Sequence, residues 1–346
     1  MNDLIFNYLK DQTISADDLS DAQISKLSSL SSRFHLIGFI TSTYKFSAST
    51  RYKELNSIRD LSIAKNMLMI HDLKLICSNF NKNKINYCIL KGPALNIAEV
   101  YDPAIRFFKD LDILVEKKDL EFAFKILINL GFKYLNKHTK NSCNFIGDHH
   151  LPIMSNPNNT FVELHHRVTS KKHYEECPIT DNILKEKIYH KEVFIPCPDA
   201  LIAHILYHGL IQHVYSIGPV VLFDIKEIMK KFNLKEHVNN KYISLLGIKK
   251  EFTNVKELLI EIKNKDEIKD FDQRLDNIRQ NLSLNHEEGK IHILNLKQIF
   301  IKFSENISDV VARTEFKYQT PRTSIKFPFL YLNELFRLIR SNIKLF

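Results

Sequence analysis

The chain has 346 residues, 44% of them hydrophobic and 26% charged, which is the balance of a soluble globular protein with core enough for two or three packed units. Only 8 glycines and 10 prolines argue against a loop-rich all-β fold. A formal charge of +9 suits an anionic partner such as a nucleotide, a nucleic acid or a membrane surface, or reflects a lysine-rich solvated face. Residues 1–85 read as helices. Leu4, Tyr8 and Leu9 begin an apolar stripe, and Ser15 is an N-cap with Asp17 and Asp18 in the first turn behind it. Over residues 54–81, Leu55, Ile58, Leu61, Ala64, Leu68 and Leu75 recur in steps of three, four and seven and predict a helix.

The pattern changes near Asn86. Residues 87–90 are a short apolar run of strand formers, ended by Lys91-Gly92-Pro93. A short helix is expected over 94–101, a strand over 111–115, and a helix over 119–130 closed by Gly131 as its C′ residue. Residues 132–135 read as a strand. A further strand includes 150–153, where Pro152 restricts it to an edge or an end. Residues 156–159 form a turn, and 160–165 alternate as a strand. From about residue 180 the chain is helical again, over 199–214 and over charged amphipathic segments between 254 and 303. At the end, Leu332, Phe336, Ile339, Ile343 and Phe346 recur at helical spacing beside Arg337, Arg340 and Lys344. That helix either packs on the protein's own helices or makes a weak contact with an anionic membrane surface. The expected architecture is α/β (α+β): a helical region at 1–85, a small mixed sheet at 86–178 and a helical region at 179–346.

The five cysteines, Cys77, Cys88, Cys143, Cys177 and Cys197, are odd in number and form no CxxC pair, which disfavours a zinc knuckle and a disulfide framework. The first residues lack a basic segment before an apolar one, and no apolar run approaches the ~18 residues that span a bilayer. Integral membrane insertion is not expected, and a cytoplasmic location is.

Asp110 and Asp112 carry the chemistry. Strand side chains alternate faces, so these two carboxylates point the same way while Leu111 and Ile113 point into the core. Magnesium takes oxygen ligands, commonly one or two carboxylates with phosphate oxygens completing the shell. Paired aspartates also occur in sugar-nucleotide glycosyltransferases and in haloacid-dehalogenase-like phosphatases. The second needs a threonine where this chain has Leu114. Glu163 shares a strand face with Phe161 and His165, and an acid amid apolar residues is costly unless it is paired or bound to metal. Lys91, after a strand and before a helix, is placed for a phosphate. Arg106 either binds phosphate or pairs with a carboxylate. By alternation, one of His149/His150 and one of His165/His166 reaches the site, and His150 and His165 are expected as substrate or proton-transfer contacts. A zinc site is disfavoured because the oxygen ligands suit magnesium. His204 and His208 are i, i+4 but belong to no HExxH motif. Asp224 either caps a helix or supports the site.

In order and spacing, several blocks resemble one family. They are Leu90-Lys91-Gly92, Tyr101, Arg106, Asp110-Leu111-Asp112-Ile113-Leu114-Val115, Leu130-Gly131-Phe132, His149-His150-Leu151-Pro152, Val162-Glu163-Leu164-His165-His166-Arg167, Pro198-Asp199-Ala200-Leu201 with His208, and Phe223-Asp224-Ile225. This set is similar to the uncharacterised bacterial nucleotidyltransferase family of the DNA polymerase beta-like superfamily, from about residue 30 to about 235. The resemblance implies a small mixed sheet, a divalent cation (Mg²⁺ or Mn²⁺) and an NTP donor. It casts Asp110, Asp112 and Glu163 as the catalytic metal ligands, and it places Lys91-Gly92 where better-known members carry a Gly-Ser turn. The departure is the missing serine and a glycine 18 residues before Asp110, so phosphate binding would fall to Lys91 as a point charge, with Gly92 and Arg106. The reaction implied is transfer of an NMP from an NTP to an acceptor, with release of pyrophosphate. The acceptor is open between a small molecule, tRNA and protein, the last two by a toxin-like transferase. A non-catalytic nucleotide-binding or scaffold protein is the third reading.

Overall fold

The computed structural model describes residues 2–47, 49–135, 149–169, 178–212, 219–234 and 240–264. The N-terminal region is helical, with one shift of register. Ser15 ends β1 (Ile14–Ser15) after α1 (Asn2–Leu9), and it caps only a single 3₁₀ turn. The α-helix starts five residues later: Ser20 accepts from the Gln23 backbone while the Gln23 side chain accepts from Ser20, a full capping box that opens α2 (Asp21–Phe34). α3 (Ile37–Thr43) and β2 (Tyr44–Lys45) follow, and β2 pairs in parallel with β1.

α4 (Lys53–Lys82) is the long helix expected, and only part of its apolar stripe turns inward. Leu61, Leu68 and Leu75 are exposed, whereas Met69, Leu73, Ile76 and Phe80 are buried together with Asn66 and Asp72. Spacing predicts the helix but not which positions turn inward, because the inward stripe includes polar residues with fixed partners. Asn66 donates to the backbone oxygens of Pro103 and Arg106, and Asp72 accepts from Asn156 (2.7 Å), Asn158 and Thr160. Asp72 thereby ties α4 to the turn between two strands of the sheet. Asp72→Ala should lower unfolding stability by about 2–3 kcal/mol in urea denaturation, because it strands buried donors. A change under about 0.5 kcal/mol would show that water satisfies them instead.

β3 (Tyr87–Ile89) enters the core, α5 (Lys91–Ile97) turns out of it, and β4 (Leu111–Val115) returns. α5 starts three residues earlier than expected. α6 (Leu120–Asn129) ends as expected: Gly131 takes φ 86° and donates to Ile128, and Phe132 donates to Leu127, the paired bonds of a Schellman motif. β5 (Lys133–Tyr134), β6 (Met154–Ser155) and β7 (Phe161–His165) complete a sheet of order β3-β4-β7-β6-β5. β4 and β7 run parallel and the other pairs antiparallel. The strand expected over 150–153 is displaced: pairing starts at Met154, and upstream only His150 forms an isolated bridge, to His165. Pro152 cannot donate to a ladder, which accounts for the break.

α7 (Pro178–Lys185), the hairpin β8 (Ile188–His190) and β9 (Val193–Ile195), and α8 (Pro198–Leu206) follow. Where a continuous helix over 199–214 is expected, α8 passes into a π-helical turn at Tyr207–Gln212. α9 (Val220–Lys231), α10 (Asn240–Leu245) and α11 (Lys249–Asn264) end the described part. Buried residues from Leu4 to Ile262 join in one hydrophobic cluster, so the helices on either side of the sheet share its core. Among the described residues no helix is long and apolar enough to cross a membrane. The expected helices beyond 264, including the C-terminal amphipathic one, lie outside the described residues, as do Cys143 and Cys177. Cys77, Cys88 and Cys197 are free thiols.

Candidate active site

The parallel register of β4 and β7 sets Asp112 directly beside Glu163. Residues i and i+2 share a strand face, so His165 joins Glu163 on the Asp112 side. Asp112 and His165 are both 2% exposed. His165 Nε2 lies 2.8 Å from Asp112 Oδ1 and 3.4 Å from Glu163 Oε2. One ligand atom from each of Asp112, Glu163 and His165 falls within 4.8 Å of the others, which fits a single ion. The set is two carboxylates and one imidazole, not the three carboxylates expected. Asp110 stands just before β4, outside this cluster, but lines the same cavity.

Lys91 reaches the cluster from the start of α5. Its Nζ donates to Asp112 Oδ1 at 2.7 Å, the same oxygen that faces His165. Gly92, next in the chain, packs so closely that an added Cβ would meet Phe108 Cβ at 3.0 Å. The close approach of α5 to the segment before β4 therefore favours glycine there, since a larger residue would press on Phe108.

Charge is partitioned unevenly across the cluster. Burial, with the neighbouring Asp112 charge next, pushes Asp110 up to about 7. Burial would raise Asp112 too, but the Lys91 ammonium and the His165 ring overrule it and hold that carboxyl well below its ordinary range. Burial opposes ionisation of Glu163 most strongly, but the hydrogen bond from His165 together with the electrostatic pull of His150 and His165 outweighs it, leaving the carboxyl below its ordinary value. His150 is held neutral mainly by burial and then by His165.

The cluster opens into a cavity of about 470 Å³, a size that admits a nucleotide. Its acidic floor is Asp110, Asp112 and Glu163. Lys91, Arg106 and Lys109 bring positive charge, and Pro93, Phe107, Phe108, Ile205 and Val220 form apolar walls.

A family model described as an uncharacterised nucleotidyltransferase matches residues 41–254, more than half of the chain. The chain belongs to that family. Comparison with curated proteins finds no match. Among solved structures, similarity is found to an antigenic nucleotidyltransferase-like protein from Paracoccidioides brasiliensis. It has 15% identity and a TM-score of 0.33, covering 55% of this chain and 92% of that one. That likeness is too distant to carry an argument.

In this nucleotidyltransferase-family chain, the residues singled out by sequence divide into groups. Asp110, Asp112, Glu163, Lys91, Gly92, Arg106 and His150 all border the cavity, and His165 lies beneath it against Asp112. Arg106 resolves its two alternatives toward the carboxylate. Its Nε and Nη2 bind Asp224 Oδ1 and Oδ2 at 2.9 and 3.0 Å, and Nη1 donates to the Phe107 carbonyl. Asp224, on α9, is thus the partner of Arg106. The alternation argument fails for one histidine pair. His149 and His150 both line the cavity, because they precede any continuous strand pairing and need not point to opposite faces. His204 is buried, and burial pushes its ring down to about 3.

Among the polar residues of the cavity, His35, Lys109 and Gln212 escaped the sequence reading. His35 ends α2 at a left-handed φ of 54°. His208 stood in a helical pair and in one of the family blocks but was given no site role, and Gln212 faces it across the π-turn at 3.2 Å and His149 at 3.4 Å. π-turns recur at functional sites, but no residue pattern announces one.

Proposed function

We propose that the protein is a metal-dependent nucleotidyltransferase that moves an NMP from an NTP to an acceptor and releases pyrophosphate. The observation that carries this reading is the convergence of Asp112, Glu163 and His165 ligand atoms within 4.8 Å on the floor of a nucleotide-sized cavity in a chain of this family. The donor set fits a divalent cation: two carboxylates satisfy Mg²⁺ or Mn²⁺, and an imidazole is more at home on Mn²⁺. Asp110, at the cavity edge, would complete the shell. When bound, the ion supplies positive charge for the leaving pyrophosphate and for an attacking oxygen.

The chain's own groups do the rest. Asp112, ionised under the influence of Lys91 and His165, holds charge at the reacting end. Lys91 and Lys109 offer ammonium groups for the triphosphate, while Arg106 braces the wall through Asp224. Phe107, Phe108 and Pro93 give the base an apolar face. Asp110, whose ionisation is opposed by burial and by the Asp112 charge, would be drawn into its ionised form by the bound cation. His149, His150, His208 and Gln212 line the same cavity with hydrogen-bonding groups, suited to orienting an acceptor.

The test is incubation of the full chain with α-labelled NTPs, Mn²⁺ or Mg²⁺, and fractionated extract. Label should enter one class of acceptor with the wild type and fall by roughly 100-fold or more with Glu163→Gln, the scale of losing a group that stabilises transition-state charge. Equal labelling by both proteins would remove Glu163 from the reaction.

A further inference from the structure

This inference rests on the reading of the cavity as a metal and nucleotide site. One carboxylate oxygen there is claimed twice: Asp112 Oδ1 accepts from Lys91 Nζ at 2.7 Å and faces His165 Nε2 at 2.8 Å. A divalent cation bound to that oxygen would sit only roughly 3–5 Å from a full positive charge, so Lys91 and the ion compete for Asp112. Lys91 is built to move. Its side chain keeps 19% of its surface exposed beside the cavity, whereas Asp112 is 2% exposed. Lysine is a compact charge on a flexible stem, so its ammonium can swing without backbone movement. Its backbone is held at φ 53°, which is uncommon for a residue with a Cβ, and the buried contact of Gly92 with Phe108 fixes the start of α5 behind it.

We propose that Lys91 couples metal to nucleotide: its ammonium leaves Asp112 as that oxygen takes a divalent cation, and passes to the triphosphate. A phosphate that accepts the ammonium lowers the cost of releasing Asp112, so nucleotide and metal strengthen each other's binding by the same factor. A serine hydroxyl, neutral and short, could hold phosphate in such a turn but could not compete with a cation. The lysine therefore adds a linkage that a Gly-Ser turn lacks.

The prediction has opposite signs for the two ligands. Mn²⁺ alone is titrated into the full chain and followed by the electron paramagnetic resonance of the free ion. An ATP analogue with a methylene α,β-bridge is then titrated at saturating Mn²⁺ by calorimetry. Lys91→Met should bind Mn²⁺ roughly tenfold tighter and the analogue roughly tenfold weaker, within the ordinary range of coupling. Lys91→Gly, which suits the left-handed backbone, should behave the same and carries the test if Lys91→Met does not fold. Mn²⁺ affinity that is unchanged or weakened overturns the exchange and leaves Lys91 a phosphate ligand or a structural tie. Tighter Mn²⁺ with unchanged analogue affinity overturns the handover. Mn²⁺ bound by neither wild type nor variants overturns the metal reading itself, and the proposal with it.

Discussion

Asp112→Asn is expected to abolish transfer and to destabilise the fold at once. The change removes the charge that Lys91 and His165 both face, in a residue with 2% of its side chain exposed. Breaking a buried pair from one side costs about 3–5 kcal/mol, and the partial exposure of Lys91 puts this case near 3. Urea denaturation should show that loss, and NMP transfer should fall by roughly 100-fold or more. Asp110→Asn should behave in the opposite way for stability. Asp110 titrates near 7 in the fold against 3.8 as its ordinary value, because burial and Asp112 resist its ionisation. A raised carboxyl contributes stability that is complete below the unfolded pKa and is lost as pH rises through the folded one. The wild type therefore loses stability between about pH 4 and pH 7 through this group, and Asp110→Asn does not. The variant should gain on the wild type across that window, by an order of 2 kcal/mol, and hold the gain above it. Matching denaturation midpoints at pH 4 and pH 8, relative to wild type, would refute the half-buried placement of Asp110 near the Asp112 charge.

Arg106→Ala is expected to cost about 3–5 kcal/mol, because it leaves the Asp224 carboxylate buried without its partner. Both oxygens of Asp224 are bound by the guanidinium, and the two side chains are 15% and 3% exposed. Lysine cannot reproduce that two-point contact, so Arg106→Lys should recover only part of the loss. Removing both partners should be milder than removing Arg106 alone, since no unpaired charge remains. If the double variant Arg106→Ala/Asp224→Ala is as unstable as the sum of the singles, the pair is not coupled. The pair joins the segment before β4 to α9, so transfer should fall along with stability.

The strands were legible where periodicity of two and turn chemistry agreed. Residues 160–165 alternate cleanly, and Gly131 marked the end of α6 through a requirement for positive φ. The paired aspartates and Glu163 were legible for a related reason: an acid inside an apolar strand has few tolerable explanations. What sequence could not give was register. Placing Glu163 beside Asp112 depends on β4 pairing with β7, strands separated by about fifty residues, and that pairing also brought in His165 as a third ligand candidate. The Arg106–Asp224 pair spans 118 residues and had no local signal. On α4 the period was legible but the inward face was not, because Asp72 and Asn66 are buried through hydrogen bonds that composition cannot foresee. His35, His208 and Gln212 reached the cavity through a left-handed helix end and a π-turn, neither of which follows from hydrophobic spacing.

Phosphorus magnetic resonance of an NTP incubated with the full chain, Mg²⁺ and the labelled acceptor fraction tests the central claim most directly. The account predicts pyrophosphate appearing in step with NTP loss, at a rate that falls to background when Asp112→Asn replaces the wild type. Release of inorganic phosphate with accumulation of NDP, or pyrophosphate formed equally by the variant, would contradict nucleotidyl transfer at this site.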